Sequence, residues 1–149
     1  MILSQRTQYA VRAVLELAKR EGAGPVKAAT IAAAQRIPAR FLDNILSQLR
    51  QAGIVRAQRG KEGGYMLGRP ACEVSVGEVI RLVQGPVSVI ECAADTGTNT
   101  CQFRSGCVLL PLWEKAHQAM MAIYDGATFA NLVEQERATA LCGVIDYAI

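Results

Sequence analysis

Hydrophobic positions recur at helical spacing along most of this chain. Between Ser4 and Arg20, the residues Ala10, Ala13, Val14, Leu17 and Ala18 follow the i, i+3, i+4, i+7, i+8 pattern of one buried helix face. Ser4 supplies a capping hydroxyl at the start, and Gly22-Ala23-Gly24-Pro25 a stop. A second, alanine-rich helix is predicted over about Lys27–Gln35, anchored by Ile31. Pro38 opens a third helix, because proline suits a first turn. Its buried stripe is Phe41, Leu42, Ile45, Leu46 and Leu49, and Gly53 ends it. Ile54–Gln58 then reads as a strand, Arg59–Gly64 as a glycine-rich basic turn, and Tyr65–Leu67 as the returning strand. Two short helices, a tight turn, a third helix and a β-hairpin predict a winged helix-turn-helix.

After Arg69-Pro70 comes a connector, then a helix from Val76 to Leu82 or Val83, broken by Gly85-Pro86. A long helix is predicted from Val108 to Tyr124, with Pro111 tolerable in its first turn. Leu109, Leu112, Trp113, Ala116, Ala119, Met120, Met121, Ile123 and Tyr124 cover more than one of its faces. A small monomer has little interior to hide them, so helix–helix dimerisation is expected, with packing against the chain's own winged helix as the alternative. Asp125-Gly126 ends this helix, and Thr128 caps a short one through Glu136. Residues 137–149 show no clear period and receive no role. The expected fold class is mainly α with a small β wing: a winged helix-turn-helix DNA-binding domain over 1–70, then a connector helix, a cysteine loop (91–107) and a long dimerisation helix within 71–149.

Composition narrows the function. The chain has 149 residues, 51% hydrophobic but only 5% aromatic, which suits a helical globular protein. The net charge of +3 hides an asymmetry. Residues 1–70 hold 12 Lys/Arg against 4 Asp/Glu, whereas residues 71–149 hold 4 against 9. A basic first half implies a polyanionic partner. No apolar run reaches the roughly 20 residues of a membrane span, and the N-terminus lacks a signal-peptide pattern, so a cytoplasmic protein without a membrane partner is expected.

Subtracting the buried stripe leaves Ala39, Arg40, Asp43, Asn44, Ser47 and Arg50 on the outer side of the third helix. The first residues of a recognition helix reach base edges in the major groove. Arg40 has the donors for guanine, and Asn44 the donor and acceptor for adenine. Asp43 could accept from cytosine N4, or simply complement the helix dipole. In the wing, Arg56, Arg59 and Lys61 fit the minor groove or phosphates. Gly60, Gly63 and Gly64 permit positive φ and close backbone approach.

Five cysteines are an odd number, and in a reducing compartment they are free, metal-bound or reactive rather than a disulfide framework. Three of them, Cys92, Cys101 and Cys107, share one polar loop with spacing C-x8-C-x5-C. This differs from the short C-x2-C spacing of zinc ribbons and many ferredoxins. Iron–sulfur ligation, zinc and a thiol switch stay open on spacing alone. Joined to a DNA reader, the trio suggests a regulator that senses iron, sulfur or redox state. Cys72 and Cys142 stand apart and read as small buried residues. There is no plausible Ser/His/Asp set, P-loop or HExxH, and the lone His117 has no evident partner, so no enzyme is expected.

The opening residues 1–4 with Tyr9-Ala10-Val11-Arg12, the stripe from Phe41 to Leu49, Gly53-Ile54-Val55, the wing Arg59-Gly60-Lys61-Glu62-Gly63-Gly64-Tyr65, Val76-Gly77-Glu78-Val79-Ile80 and the cysteine trio together resemble the Rrf-two (Rrf2) family of winged-helix regulators. The resemblance spans roughly residues 1–136. That family includes an iron–sulfur cluster assembly regulator, a nitric-oxide-sensing repressor and a rhizobial iron regulator. The resemblance implies a homodimer on a palindromic double-stranded operator, long helices crossing at the dimer interface, and a cluster of the 4Fe–4S or 2Fe–2S type beside them on Cys92, Cys101 and Cys107. It makes Arg40 a recognition-helix contact and Arg56, Arg59 and Lys61 wing contacts. It also exposes a departure. Some relatives carry a ligating histidine three residues after the last cysteine, where this chain has Leu110; others use an acidic residue on the partner's first helix, near Gln8 here. His117 lies ten residues past Cys107, about 15 Å along a helix, too far to ligate in cis. The competing expectation is a cluster-free regulator of the same fold, using a cysteine thiol switch or a small-molecule or protein effector.

Overall fold

The computed structural model describes residues 3–86, 102 and 104–145, with only the backbone described over 141–145. Helix α1 (Gln5–Lys19) is the element against which α2, α3, α4, α6 and β2 all pack. Ser4 caps it as expected, its hydroxyl accepting from the Thr7 amide at 3.2 Å. The small residues Ala10 and Ala13, with Val14, are fully buried, and their size lets several neighbours approach one helix closely.

Helix α2 (Ala28–Gln35) is anchored by the fully buried Ile31. It ends in a left-handed turn in which the Ile37 amide donates to the Ala32 carbonyl at 2.9 Å. The residue in the left-handed position is Arg36, at φ 51° and ψ 46°. Helix α3 (Ala39–Gln51) follows Pro38 and buries Leu42, Ile45, Leu46 and Leu49. The expected stripe was one residue too wide: Phe41 is 39% exposed, because it stands on the flank of the buried arc. Strands β1 (Val55–Gln58) and β2 (Gly64–Leu67) pair antiparallel, with Val55 opposite Leu67 and Gln58 opposite Gly64.

A 3-10 turn at Ala71–Glu73 leads to helix α4 (Val76–Gln84), capped by Ser75. Helix α5 (Leu110–Gly126) accommodates Pro111 in its first turn. Helix α6 runs Phe129–Ile145, past the Glu136 limit expected from pattern, so most of the tail left without a role is helical. Thr128 caps α6 as anticipated, accepting from the Asn131 amide at 3.3 Å. Phe129 is fully buried and Val133 nearly so, which adds the start of α6 to the winged-helix core. Truncating a buried phenylalanine of this kind costs about 3–5 kcal/mol. Helix α5 has no fully buried residue, and Leu112 and Ile123 are 56% and 72% exposed. The winged helix therefore does not cover them. Among the described residues no helix is long and apolar enough to cross a membrane.

One charged group sits inside this packing. Glu16 is 5% exposed and accepts from Arg20 Nε and Gln35 Nε2, each at 2.8 Å, with Lys19 Nζ at 3.9 Å. Arg12 in turn donates to the backbone oxygen of Gln35 and, at 3.4 Å, to its side-chain oxygen, so α1 and the end of α2 are tied together. Burial raises the Glu16 pKa, but the hydrogen bonds from Gln35 and Arg20 and the charges of Arg20 and Lys19 outweigh it, leaving the carboxyl below its ordinary value. A lowered folded-state pKa gives stability that is complete above the unfolded value, about 4.3, and lost as pH falls through the folded one. Glu16→Gln is expected to lower the unfolding free energy by about 1–3 kcal/mol at pH 7. In urea titrations, that difference from the wild type is expected to narrow below about pH 4.

Candidate nucleic-acid interface and cysteine site

The wing is built by backbone proximity. Val26, just before α2, exchanges two backbone hydrogen bonds of 2.8 Å with Tyr65 and so adds one bridging rung on the outer edge of β2. This approach needs a residue without a side chain at Gly64, where a Cβ would stand 2.5 Å from the Val26 oxygen. At Gly63 a Cβ would stand 2.2 Å from the Gln58 oxygen. Of the three wing glycines only Gly60 has a positive φ, 109°. The sequence signalled the glycines, but the separation of their roles required the fold, and the part of Val26 was missed altogether.

The wing displays Arg56, Arg59, Gly60 and Lys61 to solvent. Its three cations form no ion pair with a described residue, so their charge is available to a polyanion. On α3, Arg40, Asp43 and Asn44 are exposed, while Ser47 is half-buried nearer the protein. The Arg40 guanidinium lies over the Phe41 ring, 4.9 Å from its centroid, and the Phe41 ring is 6.1 Å from that of Tyr9 on α1. This stack supports Arg40 at the start of α3. It is the consequence of the exposed position of Phe41, and a stripe of five apolar residues, wider than one helix face needs, was its only sequence signal. Asn44 Nδ2 donates to the Arg40 carbonyl at 3.2 Å, and its Oδ1 has no hydrogen-bond partner among the described residues.

Cys107 is half-buried two residues before Leu109, the residue that precedes α5, and has no disulfide. Cys92 and Cys101 lie outside the described residues. Among the described residues no three His, Cys, Asp or Glu side chains are grouped to hold a metal. Cys72 is exposed, contrary to the expectation of a small buried residue, because it lies on the outer side of the 3-10 turn whose Ala71 faces the core. Gln8 donates its amide nitrogen to the Leu3 carbonyl at 3.0 Å. His117 Nδ1 is buried and makes no hydrogen bond to the described residues.

From the cysteine site a line of contacts leads to α3. The far end of α5 carries Asp125, whose Oδ1 meets Arg81 of α4 at 2.8 Å and occupies the space where Gly77 would bear a Cβ. The link continues through Val76 N–H to Ala127 O at 2.9 Å and Phe129 N–H to Val74 O at 3.1 Å. At the other end of α4, the Leu82 carbonyl accepts from Gln48 Nε2 of α3 at 2.8 Å, and Gln48 Oε1 accepts from Arg6 at 2.9 Å. Gln84 Oε1 accepts from the Ser4 amide and the Thr7 hydroxyl, each at 3.0 Å. Helix α4 thus touches the helix that follows the cysteines, α3 and the start of α1.

Residues 3–135 match a family described as Rrf2, iron-dependent transcriptional regulator. The HTH-type transcriptional regulator IscR of Escherichia coli is 34% identical over 143 residues, 96% of this chain and 86% of IscR. Among solved structures, CymR, the global cysteine regulator of B. subtilis, has a TM-score of 0.77 at 28% identity, covering 91% of this chain and 98% of CymR. The IscR of T. potens has a TM-score of 0.74, also at 28% identity, covering 91% of this chain and 88% of that one.

Gly64→Ala is expected to break the Val26–Tyr65 rung and lower thermal stability by about 1–3 kcal/mol. Gly106→Ala, where a Cβ meets nothing within 4 Å, is the matched control. Equal melting temperatures for the two variants would mean the close approach is not a constraint.

Proposed function

This chain belongs to the Rrf2 family of iron-dependent transcriptional regulators, and from that premise we propose that it is a homodimeric operator-binding regulator whose signal enters through an iron–sulfur cluster on Cys92, Cys101 and Cys107. It is a DNA-binding transcriptional regulator by family, and its relatives are regulators rather than enzymes. The functional division falls near residue 70, with DNA reading before it and sensing and dimerisation after it. Helix α5 offers the second protomer the surface of Leu109, Leu112 and Ile123. A palindromic site then meets two copies of α3, each presenting Arg40, Asp43, Asn44 and Ser47, and two wings presenting Arg56, Arg59, Gly60 and Lys61.

The observation that carries this reading is the contact line from Cys107 through α5, Asp125 and α4 to Gln48 on the recognition helix. The donor set fits the group: three thiols from one segment are the ligand type an iron–sulfur cluster takes, and a fourth ligand can come from outside the trio. Such a cluster supplies sensitivity to oxidant and to iron shortage. A cluster on these thiols would tie Cys107, just before α5, to the other two cysteines; without it α5 would lean differently on Gly77 and Arg81, and the spacing of the two recognition helices would change. Only a difference in contacts between two states is needed. The likeness to a global cysteine regulator favours a second reading, in which the same cysteines act as a thiol switch, or stand by while a small molecule or partner protein is the effector.

Protein prepared without oxygen is expected to be brown, to contain iron and acid-labile sulfide, and to bleach in air. The triple variant Cys92/Cys101/Cys107→Ala is expected to be colourless and to bind operator equally with and without oxidant. Colourless wild-type protein that also fails anaerobic reconstitution would favour the thiol or effector reading. Arg59→Ala or Lys61→Ala is expected to weaken binding to every duplex roughly tenfold and to flatten its salt dependence. An unchanged salt slope in gel-shift titrations would remove the wing from the interface.

A further inference from the structure

Among the described residues, Arg36 is the only non-glycine with positive φ. It occupies the left-handed position that closes α2, where glycine carries no steric penalty and an arginine does. Among the described residues nothing offsets that cost. The Arg36 side chain is exposed and makes no hydrogen bond or ion pair with a described residue. Nor is it needed to satisfy the end of α2, because Arg12 already donates to the Gln35 carbonyl there.

Its place in the fold supplies a reason. Arg36 stands two residues before Pro38, the cap of α3, and four before Arg40. When the first turn of α3 enters a major groove, the turn leading into it passes over the groove's rim, where the phosphates run. We infer that Arg36 is a DNA-backbone contact, its guanidinium binding a phosphate at that rim. Arg36 then acts as a positioning residue that sets how α3 seats, and it contributes affinity without reading sequence. A guanidinium suits this because its planar donors can bind two phosphate oxygens at once. The inference rests on the reading of α3 as the recognition helix. The two fail separately: if Arg40→Ala and Asn44→Ala leave sequence preference intact, it is the recognition helix that has been misassigned.

Arg36→Gly, Arg36→Asn and Arg36→Lys in the full chain give the test. Each is titrated against a duplex that the wild type selects from a random pool and against an unrelated duplex of equal length, over a range of salt. Arg36→Gly is expected to melt about 2–6 °C above the wild type, since it relieves the left-handed arginine. It is also expected to bind both duplexes roughly tenfold more weakly, with the salt slope reduced by about one per protomer. Arg36→Asn, which tolerates the same backbone without charge, is expected to lose affinity in the same way. Arg36→Lys is expected to keep the slope. Unchanged affinity and slope in Arg36→Gly would overturn the proposal. So would a loss confined to the selected duplex, which would make Arg36 a base reader. A fall in both melting temperature and affinity would make its role structural instead.

Discussion

Helix α4 is held at both ends, and the relation between the two halves of this protein depends on that. At its start, the missing side chain of Gly77 leaves room for Asp125, which pairs with Arg81 and fixes the end of α5. Toward its end, the carbonyl of Leu82 takes a hydrogen bond from Gln48, a residue of α3. A nine-residue helix is stiff over this length, which suits it to pass a displacement from one end to the other. Were α4 attached at one end alone, it would not join α5, which follows Cys107, to α3.

The same economy of small residues appears in α1. Ala10 and Ala13 leave room for elements from both ends of the chain to share one core, including Phe129 of α6. The second half therefore does not hang from the winged helix by a linker; its last helix begins inside the first half's core. Charge is arranged around that core. The buried carboxylate of Glu16 is fully compensated, while the cations of the wing and of the turn before α3 are left to solvent. Pairing where water is excluded and leaving charge free where a polyanion can meet it is the arrangement expected of a protein that binds nucleic acid.

Most of the fold was legible because its periodicities are long and its stops are strong. Ser4, Gly53 and Thr128 act locally, and each does in the structure what its chemistry suggests, while Pro38 opens α3 from the extended cap position rather than from its first turn. Three features were not legible, for physical reasons. The backbone rung between Val26 and Tyr65 joins residues far apart in sequence, so no local pattern encodes it. The continuation of α6 past Glu136 has little amphipathic signal, because that stretch is exposed on most sides up to Ala140. The left-handed conformation of Arg36 contradicts the propensity of arginine and is imposed by the tight turn into α3. The candidate DNA contacts could be named from the sequence because they are what remains after the buried positions are removed. The cysteines could be named but not joined to the reader, since Asp125, Gly77 and Gln48 meet only through α4.

The central claim is that the state of the cysteine segment is felt at the recognition helix. The most direct measurement is the operator affinity of one anaerobic preparation before and after treatment with an iron chelator, beside Gly77→Ala, which crowds Asp125 out of its place. The account predicts that iron removal changes wild-type affinity at least about tenfold, a coupling of about 1.4 kcal/mol, and that Gly77→Ala retains its iron but loses most of that difference. Equal affinity of the wild type with and without iron would contradict it.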